Sequence, residues 1–250
     1  VFTDAMKQLY KKQAAFVQGD SSYLHLFRQP FALQAAQNIY RLMSADMYTE
    51  HQALESAFKQ SSSQYKILHL GTHAQINDMD PLQSRLFFAK PVGAATAADD
   101  GNLYAYEIYS MQLKAELAVL TACETGAGAV HTGEGVMSLA HSFMFAGCPS
   151  VIMSLWKIDE KTNAQIITGF YQYLKKGYSK SEALRKAKID FIENNTGELS
   201  NPFYWAGLCM IGDDASLYSG NNWGYWLAGA GIVFILLWYV LKKKNYQVLQ

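Results

Sequence analysis

Three short, almost unbroken apolar runs leave this chain few ways to fold: Lys66-Ile-Leu-His-Leu-Gly71, Glu116-Leu-Ala-Val-Leu-Thr-Ala122 and Ser150-Val-Ile-Met-Ser-Leu155. Runs of this length without polar alternation are strands buried on both faces. Helical periodicity stands between and after them, at Gly135 to Ala146, Glu160 to Lys176 and Ser179 to Asn194. Strands alternating with helices predict an α/β fold, a mostly parallel sheet with helices on both faces. A last strand is expected at Gly207 to Ile211. Upstream, Met6, Leu9 and Tyr10, then Ala35, Ile39, Leu42 and Met43, then Leu54 and Phe58 recur at three or four, the spacing of two or three amphipathic helices within residues 1–65. Residues 74–114 read as a long connection, with Asp99-Asp100-Gly101-Asn102 marking a tight turn.

From Leu217 to Leu241 the chain runs 25 residues without a charge. About 20 apolar residues are needed to cross a hydrocarbon core, so a transmembrane helix is expected over 217–241. Trp223, Tyr225 and Trp226 at one end and Trp238 and Tyr239 at the other match interfacial aromatic belts. Lys242, Lys243 and Lys244 then place the C-terminal tail in the cytoplasm by the positive-inside rule, with the catalytic domain on the opposite side of a single-pass membrane protein. The opening Val-Phe-Thr-Asp, without Met or a signal segment, reads as a cut from a longer precursor.

Lysines and arginines number 21 and acids 21, with no basic run before the C-terminal end, so a nucleic-acid partner is not expected. Cys123, Cys148 and Cys209 lie far apart with no C-x-x-C spacing and read as free thiols rather than a disulfide framework or a zinc ribbon.

In open α/β sheets, ligands bind beyond the carboxyl ends of the strands. His73 falls just past the first strand, Cys123 just past the second, and Trp156 to Asp159 just past the third. A thiol peptidase needs that gathering: a thiolate to attack a carbonyl, a base to activate it, and amide donors for the oxyanion. The Glu124-Thr125-Gly126-Ala127-Gly128 segment after Cys123 has glycines that let backbone amides approach a substrate. Each residue also has a plainer reading, Cys123 as an inert buried thiol and His73 as a packed histidine. His69, inside the strand, takes the packed reading. His69 and His73 do not make a metal pair, because four residues of extended strand separate them by about 13 Å, and neither a metal nor a cofactor is required by the chemistry. Among Asp78, Asp80, Glu134, Asp159 and Glu160, only Asp159 sits beyond a central strand, and it is ranked first as a pocket acid. Ser154 and Trp156 complete the expected substrate-binding set.

The ordered set Ile67-Leu-His-Leu-Gly-Thr-His73, Leu120-Thr-Ala-Cys-Glu-Thr-Gly126 with 50 residues from histidine to cysteine, Gly133-Glu-Gly135, Ala146-Gly147, Ser150-Val-Ile-Met-Ser-Leu-Trp156, Phe170-Tyr171, Ala183-Leu-Arg185 and Pro202-Phe-Tyr-Trp205 resembles the CHAT-domain family, which belongs with caspases, separases and gingipains. The resemblance covers Ala35 to Asp213. It implies a caspase-like fold and a Cys-His dyad, His73 and Cys123, with the backbone amides of Cys123 and Ala74 as oxyanion donors. It also implies tetratricopeptide or similar helical repeats upstream. Two departures stand out: Ala74 occupies a position that is commonly Gly in that family, and the segment before Ala35 lacks a strand-rich beginning. The resulting domain expectation is a helical segment over 1–34, the peptidase domain over 35–214, the membrane helix over 217–241 and a tail over 242–250. The expected function is a membrane-tethered cysteine endopeptidase acting on a protein or peptide substrate, with lipid contacts through 217–241. A catalytically silent or regulated signalling scaffold is the alternative, and a thiol hydrolase of small esters or amides is a third reading.

Overall fold

The structure, a computed structural model, describes residues 29–91, 99–121, 123–124 and 134–218, giving the backbone alone for 123–124 and 134–138. The chain divides into two units, Val1–Leu217 and Tyr218–Gln250. The first holds every element below; of the second, only Tyr218 is among the described residues.

The three apolar runs form β1 (Ile67–Leu70), β5 (Leu117–Leu120) and β7 (Ser150–Ser154), and β8 (Leu208–Gly212) joins them in the order β1-β5-β7-β8. β1, β5 and β7 run parallel, and β8 lies antiparallel on β7. Because strand side chains alternate between faces, the sheet carries two apolar layers. Leu68, Leu70, Ala118, Leu120, Val151 and Met153 pack with Ile108, Leu139 and Phe143 on one side. Leu117, Val119 and Ile152 pack with Ile39, Ile166, Phe170 and Leu184 on the other. The first layer is covered by α3 (Ala105–Tyr109) and α4 (Glu134–Phe145), the second by α1 (Pro30–Met43), α5 (Glu160–Lys175) and α6 (Lys180–Asn194). The predicted mixed α/β architecture with a parallel sheet is therefore present.

Local chemistry sets the helix ends. Pro30 sits in the first turn of α1, where its missing N–H costs nothing. The Asp159 carboxylate accepts from Thr162 N at 2.9 Å and caps α5. Asp214 accepts from Ser181 N at 2.6 Å at the start of α6.

The connection over 74–114 is not a bare loop. It contributes β2 (His73–Gln75), β3 (Arg85–Phe87) and β4 (Asn102–Tyr104), which with β6 (Cys123–Glu124) make a second sheet in the order β4-β3-β2-β6. β2 is antiparallel to β3 and parallel to β6. Arg85 binds this sheet together, donating to Gln75 Oε1 and to Tyr104 OH while lying over the Phe87 and Tyr104 rings. The predicted turn is present, with Gly101 at φ +81 and Asn102 N donating to Asp100 Oδ1 at 2.8 Å. A helix α2 (Glu55–Ser61) clamps that turn: the buried Glu55 accepts from Gly101 N at 3.0 Å and from Lys59, which also reaches Glu107 at 2.8 Å.

The expectation of a transmembrane helix over 217–241 and a single-pass membrane localisation is corrected. Among the described residues no helix is long and apolar enough to cross a membrane. Residues 219–250, on which that expectation and the orientation argument rested, lie outside the described residues, as do 1–28 of the expected N-terminal helical segment.

Candidate active site

β1 and β2 are two halves of one extended path interrupted at Gly71-Thr72, and on the neighbouring path β5 ends at Leu120 and β6 begins at Cys123. The register between the two paths is the same on both sides of the break: Leu70 faces Leu120, and His73 faces Cys123. The offset of 50 residues read from the sequence is thus the ladder register itself. Thr121 N donates to Leu70 O at 3.1 Å and carries the pairing across the gap. His73 and Cys123 are therefore direct backbone neighbours on parallel strands, beyond the carboxyl ends of β1 and β5.

His73 is buried, with 6% of its surface exposed. Ala74, next to it, pairs with Leu86 and Glu124 in the ladder. Its φ is not positive, so alanine fits this position without backbone strain. Thr72 Oγ1 donates to Phe87 O and fixes the approach to His73 from β3.

Ser154, Trp156 and Asp159 form a separate group at the end of β7. Ser154 Oγ donates to Trp156 O at 2.5 Å. The Trp156 indole donates to Phe203 O at 2.8 Å and stacks on the Phe203 ring at 6.4 Å, leaving 37% of the residue exposed. The Asp159 carboxylate is engaged with the first turn of α5. Glu160 is likewise engaged across the helices, accepting from Ala32 N at 2.9 Å.

The two thiols with described side chains are poorly suited to attack. Cys148 is buried, donates to Ser150 O at 3.3 Å, and is pushed up to about 11 by burial. Burial also raises Cys209. Since the thiolate is the nucleophile, both are held in the unreactive form. Among the described residues no three His, Cys, Asp or Glu side chains gather as a metal site requires.

One feature had no signal in the sequence. A cavity of about 250 Å³ reaches from His73 along β1, between that strand and α1 and α2. His69 lines it, its Nδ1 3.1 Å from Tyr171 OH and its Nε2 3.4 Å from Thr121 Oγ1. Burial lowers the His69 pKa to about 4, so the ring is neutral at physiological pH. His69 is the packed histidine expected, although its partners are side chains brought from β5 and α5.

The CHAT domain model matches residues 3–213. Tetratricopeptide repeat protein 28 of Homo sapiens is 31% identical over 147 residues, covering 59% of this chain and 5% of that protein. Tetratricopeptide repeat protein 28 of Mus musculus is 29% identical over 120 residues, covering 48% of this chain and 5% of that protein. The chain spans about a twentieth of the length of these curated relatives.

Proposed function

Because this chain belongs to the CHAT domain family, a caspase-like family, we propose that it is a cysteine-type endopeptidase whose dyad is His73 and Cys123. The observation that carries the reading is the in-register pairing of those two residues on parallel strands. A Cα neighbour pair on one ladder is close enough for an imidazole and a thiol to share a proton. The raised thiols of Cys148 and Cys209 support the choice of Cys123.

In the proposed reaction His73 takes the Cys123 proton, and the sulfur attacks the scissile carbonyl carbon. The oxyanion is met by the backbone amides of Cys123 and Ala74. As the C–N bond breaks, His73 returns the proton to the leaving amine. Water, deprotonated by the same imidazole, then releases the acyl group and regenerates the thiol. Ser154, Trp156 and Asp159 are proposed to meet the substrate on the β7 side; the exposed, stacked Trp156 offers the firmest surface of the three. The names of the two relatives support association with tetratricopeptide-type helical repeats.

A proteome digested with the unsubstituted chain and with Cys123→Ala tests the reading. New N-termini produced by the first and absent with the second are expected. Identical sets in both digests would end the peptidase assignment and leave a binding scaffold.

A further inference from the structure

The ladder that brings Cys123 level with His73 is short. β6 has two residues, and among the described residues it pairs with β2 alone. Two residues hold a register weakly, so the place of Cys123 is inherited from the chain that leaves β5, and Thr121 is the first residue of that exit. Thr121 is held at three points. Its N–H donates to Leu70 O at 3.1 Å, its hydroxyl donates to the same oxygen at 3.4 Å, and its Oγ1 lies 3.4 Å from His69 Nε2. The first bond continues the ladder; the other two go beyond it.

The directions of these bonds follow from the chemistry of the ring. A neutral imidazole has one N–H and one lone pair, and burial keeps His69 neutral at physiological pH. With the Thr121 proton directed at Leu70 O, Oγ1 is the acceptor and His69 Nε2–H the donor. Nδ1 is then an acceptor, and Tyr171 OH meets it at 3.1 Å. Tyr171 belongs to α5 and is 1% exposed, its ring packed against those of His69 at 5.7 Å and Phe170 at 5.2 Å. A directed series of hydrogen bonds therefore runs from a helix packed on the first sheet, through β1, to the residue two places before Cys123. It also lies against the link to His73, because a Cβ on Gly71 would stand 3.4 Å from Thr121 Oγ1 and 3.5 Å from His69 Nε2. Reacting groups must be held to within about 0.5 Å, which takes supporting side chains locked by packing and hydrogen bonds.

We propose that His69, oriented by Tyr171, is a positioning residue for the dyad: through Thr121 it clamps the exit of β5 and so keeps Cys123 level with His73. This rests on the peptidase reading above and names what holds its two groups in place.

The test is a double-mutant cycle on the full chain, reading the rate at which iodoacetamide alkylates Cys123 by peptide mass spectrometry. An imidazole beside the thiol favours the thiolate, so His73→Ala is expected to slow that rate. Thr121→Val removes the hydroxyl at nearly the same volume. With His73 present it is expected to slow Cys123 about tenfold, within the range of losses that a misplacement of 1 Å causes; with His73→Ala it is expected to change nothing. Tyr171→Phe, at the far end of the series, should act in the same background-dependent way by about threefold, the scale of one hydrogen bond. Thr121→Ser keeps the hydroxyl and is expected to restore the parent rate. The buried Cys148 reports the fold, since its alkylation rises only where the core opens; where Thr121→Val raises it, Tyr171→Phe decides. Parent-like rates in the folded variants, equal effects with and without His73, or a Thr121→Ser rate as low as that of Thr121→Val overturn the clamp and leave the dyad standing. A Cys123 rate indifferent to His73→Ala overturns the dyad, and the clamp with it.

Discussion

The Trp156 indole occupies the space that a side chain on Gly207 would fill: a Cβ there would fall 2.7 Å from Trp156 Cε2. The glycine thus sets where the indole stands, pressed towards Phe203 and hydrogen-bonded to its carbonyl. Gly207→Ala is expected to push the ring out of its stack at a cost of about 1–3 kcal/mol, the usual penalty for overpacking. Urea unfolding measures the cost. A variant as stable as the parent would mean that the indole is not confined at this position.

Acid should weaken the fold through His69. Its folded pKa, about 4, lies below the ordinary histidine value of 6.5, so the native state binds fewer protons than the unfolded one between those values. The stability it contributes is complete above pH 6.5 and is lost as pH falls towards 4, on the order of 2 kcal/mol after allowing for access from the cavity. His69→Gln should flatten the unfolding midpoint over that interval, and a slope unchanged by the substitution would assign the acid sensitivity to other groups.

Glu55 should be among the most sensitive positions away from the candidate site. It is 1% exposed, and its carboxylate joins α2 to the Gly101 turn and to Lys59. Removing one partner from a buried network leaves the others unsatisfied, so Glu55→Ala is expected to cost roughly 2–4 kcal/mol. Guanidinium titration measures it, and hydrogen exchange at residues 99–102 should rise in parallel.

Thiol modification should discriminate among the cysteines. With its thiol near 11, Cys148 carries about a hundredfold less thiolate at neutral pH than an ordinary cysteine. Under native conditions iodoacetamide is expected to reach Cys123 first and Cys148 last, as read by peptide mass spectrometry. His73→Ala should slow the reaction at Cys123 while leaving Cys209 unchanged.

The large apolar strands announced themselves because each is a run of four or five mostly hydrophobic residues covered by helices on both faces. The neighbourhood of His73 and Cys123 was legible for a related reason: both stand immediately after such runs, and a parallel ladder converts equal distances from the strand ends into adjacency. The second sheet was not legible. β2, β3 and β4 are three residues each, too short for alternation to register, and Arg85, a charged side chain, joins two of them to β3. The role of Asp159 had a local sign that was read differently, since an acid three residues before Thr162 at a helix start is a capping pattern. The cavity left no sign at all, because its walls come from α1, α2, β1 and the segment after β3, remote from one another in sequence.

The equal spacing from Leu70 to His73 and from Leu120 to Cys123 has an implication for how this domain can diverge. Alignment of the histidine with the cysteine is inherited from the ladder immediately before each gap, so it does not depend on the forty-odd residues that separate Gln75 from Leu117. The turns between the strands of that stretch can change length across descendants without altering this register, provided that β3 keeps its place beside Ala74. A single residue gained or lost within either two-residue gap, by contrast, would slide one partner past the other.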